Sequence, residues 1–530
     1  MTRTRAQAKL SSALFSPLGH TVMCQKSRMA IGVALTLCAL SAMGQKRAEK
    51  WTPDIPKMWV DHEMAQLEIP LSNRNSSPKQ IPAEYYYRIP VRPIYKSYPV
   101  YGPGKEPAGY IENLRQLEPV IAFDPAKLKT REDWIKAGEL VFETPIATGK
   151  LGATSTASDL YLRDPRWFER TQAPLTRDGI LPFYRYVITE KGKIEIGILA
   201  CAMCHTRVMA DGTVIKGAQG NFPFDRALAL DYRSGSETLE DAQALDRFLF
   251  TVPGGDTKPE NQFSKLSIDE LARGHEAIPP GVLARHRSSV WYPVQVPDLI
   301  GVKDRRYLDR SGLQQHRSIV DLMRYAALNQ GGDDLAQFAD FLPMSLFFDG
   351  KLPDPNTQIR YSDEQLYALA LYVYSLKPPS NPNRFDALAA FGQKIFMREG
   401  CSGCHTPPLY TNNKLTLAEG FKIPPEDRQR YDILPISVGT DPNLTMKTRR
   451  GTGYYKVPSL KGVWYRGPFE HNGSIATLED WFDPRRLGKD YEPTGFKGYG
   501  VTKRAINGHE FGLNLSEKDR RALIAFLRTL

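Results

Sequence analysis

Four of the six cysteines in the chain fall in two copies of the pattern Cys-x-x-Cys-His, which is the clearest chemical signal in the sequence. The first motif is Cys201, Cys204 and His205, and the second motif is Cys401, Cys404 and His405. Two thiols at this spacing add to the two vinyl groups of one haem, and the histidine that follows binds the iron from the proximal side. The motifs therefore predict two covalently attached c-type haems, haem 1 and haem 2.

Two other interpretations of the cysteine pairs explain the sequence less well. A zinc site built from both pairs needs them close together in the sequence, whereas Cys204 and Cys401 lie far apart. A thioredoxin-like redox pair needs no histidine after the second cysteine and has no reason to occur twice. Haem attachment accounts for the histidine, the spacing and the repetition together.

The N-terminal segment predicts export from the cytoplasm. Lys26 and Arg28 precede the apolar run 29–40, and small residues follow from Ser41 onward, which is the order of parts in a signal peptide. We therefore interpret residues 1–44 as a signal peptide and expect a periplasmic protein. The apolar run is short for a membrane span, but an uncleaved membrane anchor stays open as the alternative.

The remaining composition excludes little and implies one kind of partner. With 41% hydrophobic and 24% charged residues, the chain has ordinary globular composition. The net charge of +11 includes several basic residues of the leader, and the propionates of two haems offset much of the rest. The basic balance therefore does not indicate nucleic-acid binding, and at most it steers an acidic redox partner.

An internal repeat surrounds the two motifs. Gly138 and Gly392 lie in amphipathic helical stretches ahead of the motifs, and residues 362–376 align without gaps to residues 516–530 after them. Each closing segment begins with a serine N-cap and continues as an amphipathic helix. The opening and closing helices of a cytochrome c domain cross closely, so that glycine is expected at the crossing point.

The predicted fold is mainly α, with two cytochrome c-like haem domains that carry long loop insertions. We place domain 1 with haem 1 at residues 131–380 and domain 2 with haem 2 at residues 384–530. The segment 45–130, rich in proline and tyrosine, is interpreted as an extended N-terminal arm that packs along the body. The insertions fall in domain 1, including 206–361, where few helical patterns are evident. Because binding groups are usually added on loops, domain 1 is the better candidate for the reactive site.

The second axial ligand of each haem decides whether the iron only transfers electrons or also reacts with oxygen or peroxide. After the second motif only His471 and His509 remain. His509 lies in a turn just before the closing helix, where a cytochrome c domain supplies its distal ligand, so it is the preferred ligand of haem 2. His471 stays open as the alternative.

In domain 1 the repeat places Pro355 at the position equivalent to His509, and proline does not bind iron. We therefore expect haem 1 to have an open sixth position and haem 2 to be the electron relay. The other candidate ligands in that domain are equally compatible with surface or packing roles: His275, His286, His316 and Met344.

Residues 451–479 resemble the signature of the bacterial dihaem cytochrome c peroxidase superfamily, in which Pro-x-Leu-Arg-Asn, Pro-Tyr-x-His-Asp-Gly and Thr-Leu-Glu follow one another. The matching segments here are Pro458-Ser-Leu460, Pro468-Phe-Glu-His-Asn-Gly473 and Thr477-Leu-Glu479. The superfamily also contains the dihaem enzyme that oxidises tryptophans during quinone-cofactor maturation and the dihaem rubber oxygenases. The resemblance spans roughly residues 130–530, and it implies peroxide or dioxygen chemistry at haem 1 and electron transfer at haem 2.

Several positions depart from this pattern or select a branch of the family. The turn around His509 is similar to that of the rubber oxygenases, in which the corresponding histidine binds the second haem. Leu308 stands where relatives have a tryptophan between the haems, so Trp291 takes its place or transfer between the haems is altered. Arg466 stands where relatives often have a calcium-binding threonine, which argues against a bridging calcium ion. The distal glutamate of the peroxidases has no counterpart, so the catalytic residues stay unassigned.

The expected function is a periplasmic oxidoreductase of the peroxidase type. Hydrogen peroxide is reduced at haem 1, and electrons arrive through haem 2 from a small soluble donor, a cytochrome c or a cupredoxin. One alternative is an oxygenase that uses dioxygen on an organic substrate. Another is a dihaem electron carrier without catalytic activity, in which side chains occupy both axial positions of each iron.

Overall fold

The computed structural model describes residues 51–150, 162–235, 237–251, 260–284, 288–348 and 350–530. The segment interpreted as a signal peptide lies outside these residues, as does the candidate ligand His286. None of the helices in the described residues has the length and hydrophobicity that a membrane span requires.

The described α-helices are mostly short, and the longest ones flank the two motifs. They are α1 (Asp61–Leu67), α2 (Ala83–Arg88), α3 (Tyr110–Gln116), α4 (Arg131–Glu143), α5 (Pro165–Thr171), α6 (Cys201–Cys204), α7 (Phe224–Ser234), α8 (Leu239–Phe250), α9 (Ile268–Glu276), α10 (Ile319–Asn329), α11 (Asp363–Ser375), α12 (Ala387–Arg398), α13 (Asp427–Arg430), α14 (Asn443–Lys447), α15 (Leu478–Trp481) and α16 (Glu517–Arg528).

The described strands form small sheets of two to four strands. They are β1 (Pro78–Lys79), β2 (Ser97–Tyr101), β3 (Ala147–Lys150), β4 (Ile180–Glu190), β5 (Lys193–Ile198), β6 (Thr206–Val208), β7 (Val214–Lys216), β8 (Val282–Leu283), β9 (Val294–Gln295), β10 (Tyr307–Leu308), β11 (Gln314–Gln315), β12 (Gln337–Phe338), β13 (Leu415–Leu417), β14 (Ile433–Ser437) and β15 (Tyr454–Lys456).

The fold is mixed rather than mainly α, which corrects the expectation from the sequence. Helices account for 37% and strands for 13% of the structure. The largest sheet is antiparallel, has the strand order β2-β4-β5-β3, and occupies the insertion ahead of the first motif. Its central hairpin turns at Lys191-Gly192, where Gly192 has a φ of +84°, and both faces of β4 are largely buried. Burial on both faces removes the alternation of polar and apolar residues that reveals a strand in a sequence.

The helices that flank each motif cross at a glycine, as the repeat predicts. A Cβ atom on Gly138 of α4 would lie 1.9 Å from the carbonyl oxygen of Ala368 in α11. A Cβ atom on Gly392 of α12 would lie 1.9 Å from the carbonyl oxygen of Ala522 in α16. Since both obstacles are backbone atoms, only glycine permits either crossing.

Serine caps start both closing helices, but the two caps differ in completeness. Ser362 and Gln365 form a reciprocal capping box at α11. At α16 the Ser516 side chain accepts a hydrogen bond from the backbone N–H of Asp519, while the Asp519 carboxylate accepts one from Arg398 of α12 at 2.9 Å. Asp519 thus ties the closing helix to the opening one.

The N-terminal arm is more ordered than an extended segment. Trp59 stacks on Tyr86 with ring centroids 4.2 Å apart, and its indole N–H donates to the Ile81 carbonyl. Strand β2 joins the four-stranded sheet through β4, and β1 pairs with β12 far along the chain. Secondary-structure pairing, and not side-chain packing alone, therefore fixes the arm to the body.

Four described α-helices, α7 to α10, lie within residues 206–361, where the sequence shows few helical patterns. Helices α7, α8 and α9 pack around a buried core that includes Tyr232, Phe250 and Leu271. At its centre His275 is fully buried and bonds Asp225 through Nδ1 at 2.8 Å and Asp246 through Nε2 at 3.2 Å. Burial alone would lower the pKa of His275, but Asp246 and Asp225 outweigh it and raise the pKa to about 9.

The crossing at Gly392 predicts a large effect from a small substitution. Gly392→Ala should lower the free energy of unfolding by about 1–3 kcal/mol, because the added methyl group must push two helix backbones apart. Urea unfolding measures this change. The matched control is Gly403→Ala, whose Cβ meets no atom within 4 Å, and equal stability of the two variants would contradict the close crossing.

The buried His275 predicts a stability that depends on pH. Because its folded-state pKa is raised, the stabilisation is complete below the unfolded-state value of about 6.5 and is lost as the pH rises through about 9. Thermal melts between these values should show a falling Tm that His275→Gln makes flatter. His62→Gln, whose side chain is 72% exposed, serves as the control and should leave the slope unchanged.

Candidate haem sites

The second motif follows directly from the end of α12. Gly400 has a φ of +75°, which ends the helix and starts a 3₁₀ turn over Cys401–Gly403. The backbone N–H of His405 donates to the Cys401 carbonyl at 2.8 Å and closes the turn. Both cysteines are half-buried, and His405 is buried. The turn therefore carries the two thiols and the imidazole on one short piece of backbone.

The hydrogen bonds of His405 fix its tautomer. Its Nδ1 lies 3.1 Å from the Pro458 carbonyl oxygen and 3.2 Å from that of Tyr410, so Nδ1 carries the proton and donates. The lone pair then lies on Nε2, the nitrogen that a metal-binding histidine with such a partner uses. Burial lowers the pKa of His405 to about 4, which keeps the ring neutral at physiological pH.

A largely apolar cavity of about 1460 Å³, including its mouth, lies beside the second motif. Its wall includes both motif cysteines and three histidines, His405, His471 and His509. The rings of His405 and His509 have centroids 6.2 Å apart. Two imidazoles that bind one metal ion from opposite sides, with metal–nitrogen distances of about 2.0–2.1 Å, place their centroids about 6 Å apart. The spacing fits an iron between the two rings.

His509 is held in a conformation that non-glycine residues rarely adopt. Its φ is +47°, its N–H donates to the Val438 carbonyl at 2.6 Å, and its carbonyl accepts from Arg486 at 2.8 Å. Trp481 and Phe511 pack edge-on against the ring. The ring is buried among these groups, and its Nδ1 has no hydrogen-bond partner among the described side chains. These features fit a haem in this cavity.

His471, the alternative ligand, lies in the same cavity in a different environment. Its Nδ1 is 2.5 Å from Oε2 of Glu470, and its ring packs against Tyr455 at 5.0 Å. Burial would raise the pKa of Glu470, but the neighbouring His471 and its hydrogen bonds lower it to about 2. The pairing with His405 favours His509 over His471 as the second ligand.

The first motif forms the short helix α6 at the end of the β4–β5 hairpin. His205 donates from Nδ1 to the Pro297 carbonyl at 3.0 Å, and burial lowers its pKa to about 4. Pro297 and Pro458 therefore accept equivalent hydrogen bonds from the motif histidines in the two halves of the chain. They stand in Val296-Pro-Asp-Leu299 and Val457-Pro-Ser-Leu460, and this repeat of Val-Pro-x-Leu is a sequence signal that pairs the two segments.

Three polar side chains lie around Cys201, and no local sequence pattern predicts them. Gln330 contacts the Cys201 sulfur through Nε2 at 3.4 Å. Arg92, from the N-terminal arm, donates to the Tyr361 hydroxyl at 3.3 Å and to the Pro145 carbonyl. Gln330 Oε1 and Arg92 Nε are buried without hydrogen-bond partners. Burial raises the pKa of the Cys201 thiol to about 12.

The other candidate ligands of haem 1 are engaged elsewhere. Both ring nitrogens of His275 bond carboxylates, and His316 bonds the Arg305 carbonyl and the Tyr374 hydroxyl through its two nitrogens. Met344 is half-buried in a 3₁₀ turn, and Pro355 is buried. Within the described part of the chain, no histidine is paired with His205 as His509 is with His405.

Trp291 and Trp464 lie in different aromatic surroundings. Trp291 packs against Phe263 and Tyr499 beside the helical insertion. Trp464 and Tyr465 contact each other next to the segment after Pro297, where the Tyr465 hydroxyl donates to Asp298 at 3.0 Å. Among the described residues, no cluster of three or more acidic, cysteine or histidine side chains is arranged to hold a metal ion.

Two sequence relatives bear on the family of the chain, and no protein-family model matches it. They are the cytochrome-c peroxidases IdrP2 and IdrP1 of Denitromonas iodatirespirans, 24% identical over 155 residues and 26% identical over 166 residues. The matches cover 26% and 27% of this chain and 38% and 40% of the relatives. The chain thus spans about two fifths of the length of the curated relatives it matches.

Two solved structures show a weaker likeness. A hydrazine synthase of Kuenenia stuttgartiensis is 16% identical, with a TM-score of 0.28 over 56% of this chain and 93% of that chain. A MauG-like protein associated with microbial copper homeostasis is also 16% identical, with a TM-score of 0.27 over 55% and 89%. TM-scores this low do not establish a shared fold.

The sequence matches to cytochrome-c peroxidases agree with the two Cys-x-x-Cys-His motifs and with the signature at residues 451–479. These matches support a relationship between this chain and the bacterial dihaem cytochrome c peroxidase superfamily.

Proposed function

We propose that this protein is a periplasmic dihaem c-type cytochrome that reduces hydrogen peroxide at haem 1 with electrons delivered through haem 2. The observation that carries the proposal is the asymmetry of the two motifs. His509 faces His405 at a separation that suits one iron, whereas His275 and His316, the described histidines of domain 1 besides His205, are bonded through both ring nitrogens. One haem then has two protein ligands, and the other keeps a position for peroxide.

The domain organisation is part of the same proposal. Residues 131–380 and 384–530 are two haem domains, each with a glycine crossing between its opening and closing helices. Each also has a proline carbonyl bonded to its motif histidine. These two features support equivalent domains that differ in their insertions and in their axial ligands.

When bound, the haems supply iron that exchanges electrons and, where an axial position is open, reacts with peroxide. The chain supplies the ligands and their orientation. Pro297 and Pro458 accept the Nδ1 protons of His205 and His405, which turns Nε2 toward the iron and strengthens the imidazole as a ligand. Burial keeps both rings neutral, as ligation requires.

The overall reaction consumes two electrons and two protons for each hydrogen peroxide and releases two water molecules. The side chains around Cys201 are the candidates for handling polar groups near haem 1. Arg92 and Tyr361 form a buried donor pair, and Gln330 adds an amide beside the attachment cysteine. Buried donors of this kind stabilise developing negative charge on oxygen. The electron donor is a small soluble protein, a cytochrome c or a cupredoxin.

A second candidate function is oxygenation of an organic substrate with dioxygen at haem 1. The turn that carries His509 favours it, because this turn resembles that of the dihaem rubber oxygenases and here holds the ring opposite His405. Both candidates need the same open position on haem 1. They differ in the oxidant that is consumed.

Turnover experiments separate these candidates. With a reduced small cytochrome c or cupredoxin as donor, the protein should oxidise two donor molecules per hydrogen peroxide added. Stopped-flow absorbance of the donor measures the stoichiometry. Oxygen uptake with an organic substrate, in the absence of any peroxide-dependent donor oxidation, would establish the second candidate instead. A ferric EPR spectrum with only low-spin signals would contradict both.

Ligand substitution tests the assignment of His509. His509→Ala should convert the low-spin ferric signal of haem 2 to a high-spin signal, because the iron loses its second protein ligand. His471→Ala, in the same cavity, is the matched control and should keep the low-spin signal. If the conversion occurs in His471→Ala and not in His509→Ala, the alternative ligand is correct.

A further inference from the structure

Four cationic side chains converge where the segments that hold the two motif histidines meet. They surround a small cavity whose wall also contains Pro297 and Pro458. The four are Arg305, Arg310, Lys456 and Arg466, here called the junction cations. The one acidic residue on the described wall of this cavity is Asp298, so positive charge is in excess.

Asp298 offsets only part of the charge of the four junction cations. Its carboxylate accepts hydrogen bonds from the Tyr465 hydroxyl and from the Ile300 backbone N–H, both at 3.0 Å. Its nearest approach to Arg466 is 3.9 Å, which is too long for a hydrogen bond. Arg305 is directed instead to the carbonyls of Asp298 and Ile300. The excess positive charge therefore has no complete counterpart in these side chains.

Two of the junction cations have unsatisfied nitrogens. Nε of Arg310 and Nε of Arg466 are buried without a hydrogen-bond partner, and the Arg466 side chain is only 8% exposed. Lys456 has a single distant acceptor, the Tyr307 carbonyl at 3.5 Å. Burial, together with repulsion from the neighbouring cations, lowers the pKa of Arg310 to about 9 and that of Lys456 well below its usual range. An anion among these side chains would relieve their mutual repulsion and supply the missing hydrogen-bond acceptors.

The position of the junction cations indicates which kind of anion they would bind. Arg310, Lys456 and Arg466 line the large cavity between His405 and His509 as well as the small one. A haem carries its two carboxylate side chains on the edge opposite the vinyl groups, so thioether bonds to Cys401 and Cys404 direct the carboxylates to the far side. Arginine pairs with carboxylates through two parallel hydrogen bonds, which suits a buried site.

We propose that the junction cations bind carboxylates, namely the propionates of haem 2. This inference rests on the proposed function, because it requires haem 2 between His405 and His509. Positive charge next to the propionates favours the reduced haem, whose net charge is lower by one. The junction cations therefore raise the reduction potential of haem 2, and they neutralise its propionates without a bound metal ion.

The test compares variants of the holoprotein that lose one junction cation. Arg310→Gln and Lys456→Gln should each lower the midpoint potential of haem 2 in a spectroelectrochemical titration. They should also shift the propionate bending band in the resonance Raman spectrum. Both should keep two covalent haems per chain and the low-spin signal. Arg485→Gln is the matched control, because this arginine is 84% exposed and pairs only with Asp483 on the surface; its potential should equal that of the unmodified protein.

Additional measurements identify the source of the carboxylate. Arg466→Lys keeps the charge and should shift the Raman band with little change in potential, which provides a readout if a neutral variant does not fold. A potential that moves when acetate is added to the unmodified protein would show a site for free carboxylates and overturn the propionate assignment. A midpoint potential of haem 2 that changes when a calcium chelator is added would also overturn the propionate assignment. Unchanged midpoint potentials of haem 2 in Arg310→Gln and Lys456→Gln would also overturn the propionate assignment. If the unmodified protein lacks a low-spin haem 2, the proposed function itself has failed.

Discussion

The hydrogen bond from each motif histidine to a proline carbonyl is the interaction on which the rest of the structure depends. His205 bonds Pro297, and His405 bonds Pro458. Each bond fixes the ring tautomer and its rotation, and each joins the motif to a segment far away in the sequence. The two proline segments also line the cavity of the junction cations. The hydrogen bond that orients one motif histidine therefore lies near the segment that orients the other motif histidine. The close glycine crossings hold the helices that frame these contacts.

The two halves share the motif and its hydrogen bond to a proline carbonyl, and they differ in the side chains around that arrangement. In the second half, a left-handed turn places His509 opposite His405, and Trp481 and Phe511 confine its ring. In the first half, the residue at the equivalent repeat position is Pro355, and the space around Cys201 is occupied by side chains from an arm, a helix and a loop. Inserted elements therefore set the chemistry of one site, while the repeated elements set its geometry.

Local sequence patterns predict the parts of this structure whose contacts are local. The motifs, the serine caps of α11 and α16, the glycine crossings and the turn that carries His509 all follow from short spacings. The hairpin β4–β5 was missed because both faces of β4 are buried, and the helices α7 to α9 were missed because their apolar faces pack on one another in an insertion. The junction cations could not be predicted, since Arg305 and Arg310 meet Lys456 and Arg466 only through tertiary packing.

The contact between Arg92 and Tyr361 joins residues 269 positions apart, and strand β1 reaches β12 over a similar span. A chain that is made from its N-terminus therefore exposes the arm long before the partners of the arm exist. The surroundings of Cys201 therefore stay incomplete until the chain has reached Tyr361, and docking of the arm is a late step in the assembly of this region.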